Sequence, residues 1–190
     1  IVLVGQKVHQ GQLIAEPQGR ISAPVHASTS GTIAAIGEIT APHPSGLPFM
    51  AITLEPDGKA QAIENEVPAD PFLLSPEEIT ERISAAGVVG LGGATFPSSV
   101  KLALGKRSKI STLIVNGGEC EPYLSCDDRI MRDQAAGIVD GIRLMLHCTG
   151  ASEALVGIED NKPEVIAAMH CAASRFAEIK VRPVPARYPM

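Results

Sequence analysis

Two glycine-bearing segments hold the residue types best suited to ligand chemistry. The first runs Gly87-Val88-Val89-Gly90-Leu91-Gly92-Gly93-Ala94-Thr95-Phe96-Pro97-Ser98-Ser99-Val100-Lys101. Glycines ahead of a proline-initiated helix let the backbone approach a ligand closely. Free amide N–H groups and the helix dipole favour a phosphate, and Lys101 adds a positive charge. The dipole alone contributes only about 0.3–1 kcal/mol when exposed, so a working site needs several N–H bonds besides. The residues by themselves leave a phosphate cradle and a tight structural turn equally open. A dinucleotide fingerprint is excluded: a helix rather than a strand precedes Gly90, position 95 is Thr, and no acidic residue follows at the βαβ distance.

The second segment is Leu113-Ile114-Val115-Asn116-Gly117-Gly118-Glu119-Cys120-Glu121-Pro122-Tyr123. Here a strand delivers an Asn, two glycines and two carboxylates, which can accept hydrogen bonds from ribose hydroxyls or a heterocycle N–H. Either glutamate alone reads more readily as a solvated surface group. Together with a glycine cradle about 25 residues upstream they point to a nucleotide site. Asp127 and Asp128 suit the start of a helix, where carboxylates favour the dipole. Cys120 lies beside the site but has no His nearby in sequence to act as its base, so no catalytic side chain is assigned. His9, His26 and His43 have no metal-ligand spacing, and surface or turn roles are expected for them.

Positioning these loops takes two kinds of structure. Residues 1–60 carry short apolar stretches at Ile1–Val4, Gln12–Ala15, Gly31–Ile36 and Phe49–Leu54, separated by Gly, Pro and Ser clusters. That spacing fits a small all-β barrel-sandwich hybrid resembling biotinyl and lipoyl carriers. The hairpin tip Ala27-Ser28-Thr29-Ser30 has no lysine to modify, so a structural or docking role is expected. Residues 61–74 read as a linker, and residues 75–190 as an α/β domain truncated at its C-terminal end. In that domain Ser75-Pro76-Glu77-Glu78 forms a capping box opening a helix that stops near Gly87. A strand at Ser111–Val115 leads to a long helix from Asp127 to Cys148, with Ile130, Ile138, Ile142 and Met145 facing inward. A second strand spans Ala154–Ile158, Asn161 caps a helix from Pro163 to about Arg175, and a third strand runs Ile179–Val184. This alternation predicts a parallel-sheet, Rossmann-like α/β core, with ligands at the carboxyl ends of the strands.

Composition narrows the function classes. The 190 residues carry a formal charge of −5, with 45% hydrophobic and 19% charged residues. An acidic chain is a poor partner for nucleic acid. No apolar run reaches the roughly 18–20 residues of a membrane span. The four cysteines, at 120, 126, 148 and 171, form no C-x-x-C pair, so no metal centre is expected here and free thiols in a cytoplasmic setting are. The chain opens at Ile1 and closes at Met190 in the manner of a piece of something longer.

At both loops the sequence resembles the RnfC family, the NADH-side component of the Rnf ion-translocating electron-transport complex. The resemblance rests on G-V-V-G-L-G-G-A-T-F-P-S-S-V-K, on L-I-V-N-G-G-E-C-E-P-Y-L-S-C-D-D-R-I-M-R, on A-P-V-H-A-S-T-S-G-T-I and on G-I-E-D-N-K-P-E from Gly157. A more distant likeness extends to the FMN- and NADH-binding subunit of respiratory complex I. From complex I relatives the chain departs at Leu91, Thr95 and Gly118, where they carry Arg, Gly and Asp.

The resemblance implies an NADH-side oxidoreductase subunit that binds FMN and NAD(H) and passes electrons to two 4Fe-4S clusters beyond Met190. Gly90, Gly92, Gly93, Lys101, Asn116 and Glu119 would hold FMN. Phe96 and Glu121 would face the nicotinamide nucleotide, and Tyr188 would begin a second loop closing over both. It also implies a peripheral position on the cytoplasmic face of the inner membrane, held by the other Rnf subunits. The alternative is a flavin-free scaffold or docking subunit of a related redox complex. A cobalamin-reductase-type relative is disfavoured by the N-terminal sandwich.

Overall fold

The computed structural model describes residues 1–19, 21–91, 95–106 and 108–187. Contacts divide it into two units. One comprises Ile1–Ala69 with Ile83–Gly90 and Thr95–Pro97; the other comprises Asp70–Arg82, Leu91 and the chain from Ser98 onward.

The first unit is all β. Strands β1 (Lys7–Val8), β4 (Gly31–Thr40) and β5 (Pro48–Pro56) form an antiparallel sheet in the order β1-β4-β5, and β2 (Leu13–Ala15) pairs antiparallel with β3 (Val25–His26). Val2, Val8, Ile14, Ala27 and Ile33 make its core, with Ile36, Ile52 and Leu54 packed against them. Ile1–Val4 is not a strand, contrary to the pattern reading. Only Val2 turns inward, its amide donating to the Ile14 carbonyl at 3.2 Å, while Ile1, Leu3 and Val4 stay exposed. A continuous apolar run gains nothing as a strand when one side chain in four finds a core. At the hairpin tip the buried Ser30 Oγ donates to Asp57 Oδ1 at 2.7 Å and accepts from the Gln61 amide at 3.0 Å. Beside it the Glu55 carbonyl fills the space where a Cβ on Gly31 would lie.

Helix α1 (Pro76–Ala85) begins with the expected reciprocal cap: Glu78 Oε2 accepts from the Ser75 amide at 2.8 Å, and Ser75 Oγ accepts from the Glu78 amide at 3.3 Å. The second unit then holds α2 (Ser98–Leu102), β6 (Thr112–Gly117), α3 (Cys126–Asp133), α4 (Ala135–Thr149), β7 (Glu153–Glu159), α5 (Pro163–Ala173) and β8 (Ile179–Val184). The three strands are parallel in the order β6-β7-β8, the α/β core that the alternation predicts.

Alternation along the strands assigns the two sheet faces. Val115, Ala154, Val156, Ile158, Ile179 and Val181 pack with Val139, Ile142 and Leu146 of α4 and Val165 and Met169 of α5. The opposite face carries Ile114, Leu155 and Lys180 in one register row and Asn116, Gly157 and Arg182 in the next. Ile114 is 76% exposed there.

Two helix expectations are corrected. The single helix from Asp127 to Cys148 is two helices, interrupted at Gln134 with φ −125°. The break shifts the helical phase, so Met131 is the inward residue of α3 and Ile130 is half exposed. Asn161 does not cap α5. Lys162 stands at the cap with no side-chain cap bond, its own side chain being engaged elsewhere.

Candidate functional site

The glycine loop is closed at its base within the first unit. Val89 and Pro97 form an antiparallel bridge, and the Gly90 amide donates to the Phe96 carbonyl at 2.9 Å. That amide is therefore committed to the loop. Thr95 takes φ +50°, a conformation that costs a β-branched residue strain and that glycine adopts freely. Gly92 and Gly93, at the apex, lie outside the described residues, as does Tyr188. Phe96 is half-buried, and Lys101, exposed in α2, belongs to the second unit.

The remaining site residues sit at the carboxyl end of β6. Asn116 Oδ1 accepts from the Gly118 amide at 3.0 Å and turns the chain off the strand. Gly117 lies on the buried face, where a Cβ would approach the Gly157 carbonyl at 2.9 Å and Met131 Sδ at 2.9 Å. The next residues line a cavity of about 370 Å³, within the range of small-molecule sites. Its polar wall holds Glu119, Cys120, Glu121, Cys126 and Asp127; its apolar wall holds Leu91, Leu124 and Ile130. The structure thus places Glu119 and Glu121 on one cavity.

The two carboxylates differ in kind. Glu121 is exposed and sits on the cavity wall. The Glu119 side chain is 1% exposed. Its Oε1 accepts from the Asp128 amide at 2.9 Å and lies 3.5 Å from Lys162 Nζ, and its Oε2 accepts from the Cys126 thiol at 3.6 Å. Burial pushes this carboxyl up, but the Asp128 amide, the Lys162 ammonium and the Cys126 thiol outweigh it and hold it below the usual range. Asp127 moves the other way, raised by its own burial and then by the Glu119 charge. Oxygens of Glu119 and Asp127 and Cys126 Sγ all lie within 4.8 Å of one another. Lys162 already supplies a cation to this group.

These opposed shifts give opposite pH signatures. A lowered folded pKa means that Glu119 contributes stability above the ordinary glutamate pKa of about 4.3, lost as pH falls through its depressed value. Glu119→Gln should therefore destabilise at neutral pH and flatten the acid limb. The raised Asp127 opposes folding when ionised, so Asp127→Asn should stabilise at neutral pH. That gain should fade as pH falls through the raised pKa towards the ordinary value of about 3.9. Denaturant midpoints measured from about pH 7 to pH 3 check both signs.

Sequence reasoning missed Lys162, Glu159 and the engagement of Asp128. Lys162 Nζ lies 3.7 Å from both Asp128 Oδ2 and Glu159 Oε2, and Glu159 is fully buried. One signal was present: a glutamate ends the apolar strand A-L-V-G-I-E, three residues before a lysine.

Comparison with known proteins bears on the whole chain. Residues 1–59 match the family model of the RnfC barrel sandwich hybrid domain, and residues 83–190 match that of the Nuo51 FMN-binding domain. The chain belongs to the RnfC family. RnfC relatives, each named as a subunit of the ion-translocating oxidoreductase complex, match from end to end. That of Rhodobacter capsulatus is 48% identical over 185 residues, covering 96% of this chain and 36% of that protein. Those of Pseudomonas aeruginosa and Pasteurella multocida are 48% and 43% identical, covering 99% and 100% of this chain but 24% and 22% of theirs. This RnfC-family chain thus spans only about a third or less of these relatives. Among solved structures, an NAD+-reducing NiFe-hydrogenase in its H2-reduced state superposes with a TM-score of 0.54 at 24% identity, over 62% of this chain and 22% of that one. That likeness supports the fold. No helix of the described residues is long and apolar enough to cross a membrane.

Proposed function

We propose that the chain is the flavin- and nicotinamide-nucleotide-binding part of the RnfC component of an ion-translocating electron-transport complex. In this reading it exchanges electrons between NAD(H) and iron–sulfur carriers held by other parts of the protein. Other subunits of the complex would hold it at the cytoplasmic face of the inner membrane. The observation that carries the reading is the cavity at the carboxyl end of β6, within the segment matching an FMN-binding domain.

The lining fits part of such a ligand and excludes another part. Carboxylates of Glu119, Glu121 and Asp127 accept hydrogen bonds from hydroxyls or ring N–H groups, and Leu91, Leu124 and Ile130 offer apolar surface to a ring. A phosphate against three carboxylates meets like charge, so phosphates belong with the glycine loop. Gly92, Gly93 and Lys101 would hold the FMN phosphate, and Gly90 would serve by closing the loop with its committed amide. Asn116 and Glu119 would shape the flavin side of the cavity, and Phe96, Glu121 and Tyr188 would face the nicotinamide nucleotide. Bound FMN supplies hydride acceptance and single-electron release. The side chains bind, orient and exclude water, and none is assigned a proton-transfer step.

In full-length protein, Glu121→Gln should raise the KM for NADH about tenfold while leaving FMN bound, because an amide is a poorer acceptor for ribose hydroxyls than a carboxylate. NADH kinetics alongside the flavin absorbance of purified protein tests this. Equal loss of both, or of neither, removes Glu121 from the nucleotide site. Wild-type protein purified without flavin, and taking up none, favours the scaffold reading instead.

A further inference from the structure

We propose that Lys162 is the positioning residue of the ligand-bearing loop between β6 and α3. The inference rests on the binding role proposed for that loop. The Lys162 side chain is 11% exposed, and its ammonium meets carboxylates from three elements. These are Glu119 at 3.5 Å, where the loop begins, Asp128 at 3.7 Å, in the first turn of α3, and Glu159 at 3.7 Å, at the end of β7. The same groups bond to one another: Glu119 Oε1 accepts from the Asp128 amide, and Glu159 Oε2 accepts from the Glu119 amide at 3.4 Å. Lys162 therefore holds both ends of the loop and fastens them to the central strand.

Between those ends the chain has little else to fix it. Residues 120–126 are all exposed, and Tyr123 is fully exposed with φ +70°. Cys120, Glu121, Leu124 and Cys126 nonetheless line the cavity. Their placement must come from the anchored ends. One lysine facing two buried carboxylates and a third partly buried one is also the only cation among these four groups, so its loss releases repulsion between Glu119 and Glu159. Arg132, 3.3 Å from Asp128, lies on the outer side of α3 and is half exposed.

The test uses full-length protein carrying Lys162→Met, Lys162→Arg, or Lys162→Met combined with Glu119→Gln, the last easing the charge imbalance in case the single variant folds poorly. Amide hydrogen exchange followed by mass spectrometry reads the loop directly. Lys162→Met and the double variant should speed exchange across residues 119–128 about tenfold relative to α4, and Lys162→Arg should restore near-wild-type protection. FMN affinity should fall about tenfold in the same two variants, with NADH KM rising more than kcat falls. Unchanged exchange across 119–128 overturns the proposal. So does equal acceleration in α4 in both Met variants, which makes Lys162 a residue of global stability. If exchange changes as expected while the wild type binds no flavin, the loop anchor stands and the binding role proposed for the loop falls.

Discussion

Replacing Gly31 with alanine should unfold the first unit, with a loss of about 3 kcal/mol or more. A Cβ there would overlap the Glu55 carbonyl and come within 3.1 Å of Pro56 Cα, all of it backbone in the partner strand. Backbone in a paired strand cannot rotate aside as a side-chain tip can, so the β4–β5 ladder must part at its Gly31–Pro56 end. That end also holds Ser30, whose hydroxyl ties Asp57 to the Gln61 amide. The damage should stay local to this unit. The protein has no tryptophan, and its two tyrosines, 123 and 188, both follow residue 98. Tyrosine emission therefore reports on the second unit alone. Denaturant unfolding of Gly31→Ala should show an early circular-dichroism transition with an unshifted emission transition. Coincident shifts in both would mean that the units unfold as one.

Gly117→Val should have the converse effect. Here the added atoms meet the Gly157 carbonyl, Met131 Sδ and Ile158 Cγ1, at 2.9, 2.9 and 3.2 Å for the first carbon alone. Met131 is the inward residue of α3, so the helix must move off the sheet or β6 must part from β7. Overpacking costs about 1–3 kcal/mol, and a branched side chain against a strand carbonyl falls at the upper end. The emission transition should move to lower denaturant while the β unit keeps its own. Gly117→Ala should be milder, since methionine sulfur is adaptable and one methyl asks less of it. An alanine variant as damaged as the valine one would place the cause in backbone conformation rather than packing.

Much of the second unit was legible because its strands alternate with helices at unambiguous periods. The parallel core and the strand Ile179–Val184 follow from that pattern alone. The break at Gln134 did not show, because glutamine is a good helix former and no Gly or Pro marks the site. Ile130 was misassigned for the same reason, its phase having been counted from α4. In the first unit Ile1–Val4 has β-forming residues but no neighbour to pair with, a fact of tertiary placement. The Asn116–Glu121 loop was legible as ligand-edge chemistry. What escaped notice was that Glu119 turns inward. Its partners Glu159 and Lys162 lie 40 and 43 residues away, and no local pattern links them. A lysine ahead of a proline-initiated helix reads as an ordinary surface residue until the strands are assembled.

The uncovered face of the β6-β7-β8 sheet has a consequence in interfacial terms. Ile114 and the half-buried Leu155 stand side by side on it, flanked by the stems of Lys180 and Arg182. Parallel sheets in folded proteins are clothed on both sides, and no helix of the described residues packs on this one. Three strands of six residues present a face of roughly 10 by 20 Å. Covering each 100 Å² of apolar area on it would contribute about 2.5 kcal/mol. A second layer laid there would add a sizeable share of the 5–15 kcal/mol or so that holds a typical domain folded. The free energy of unfolding measured on these 190 residues alone is thus a floor for the same residues under such a layer, and the wetted sheet face is where the difference resides.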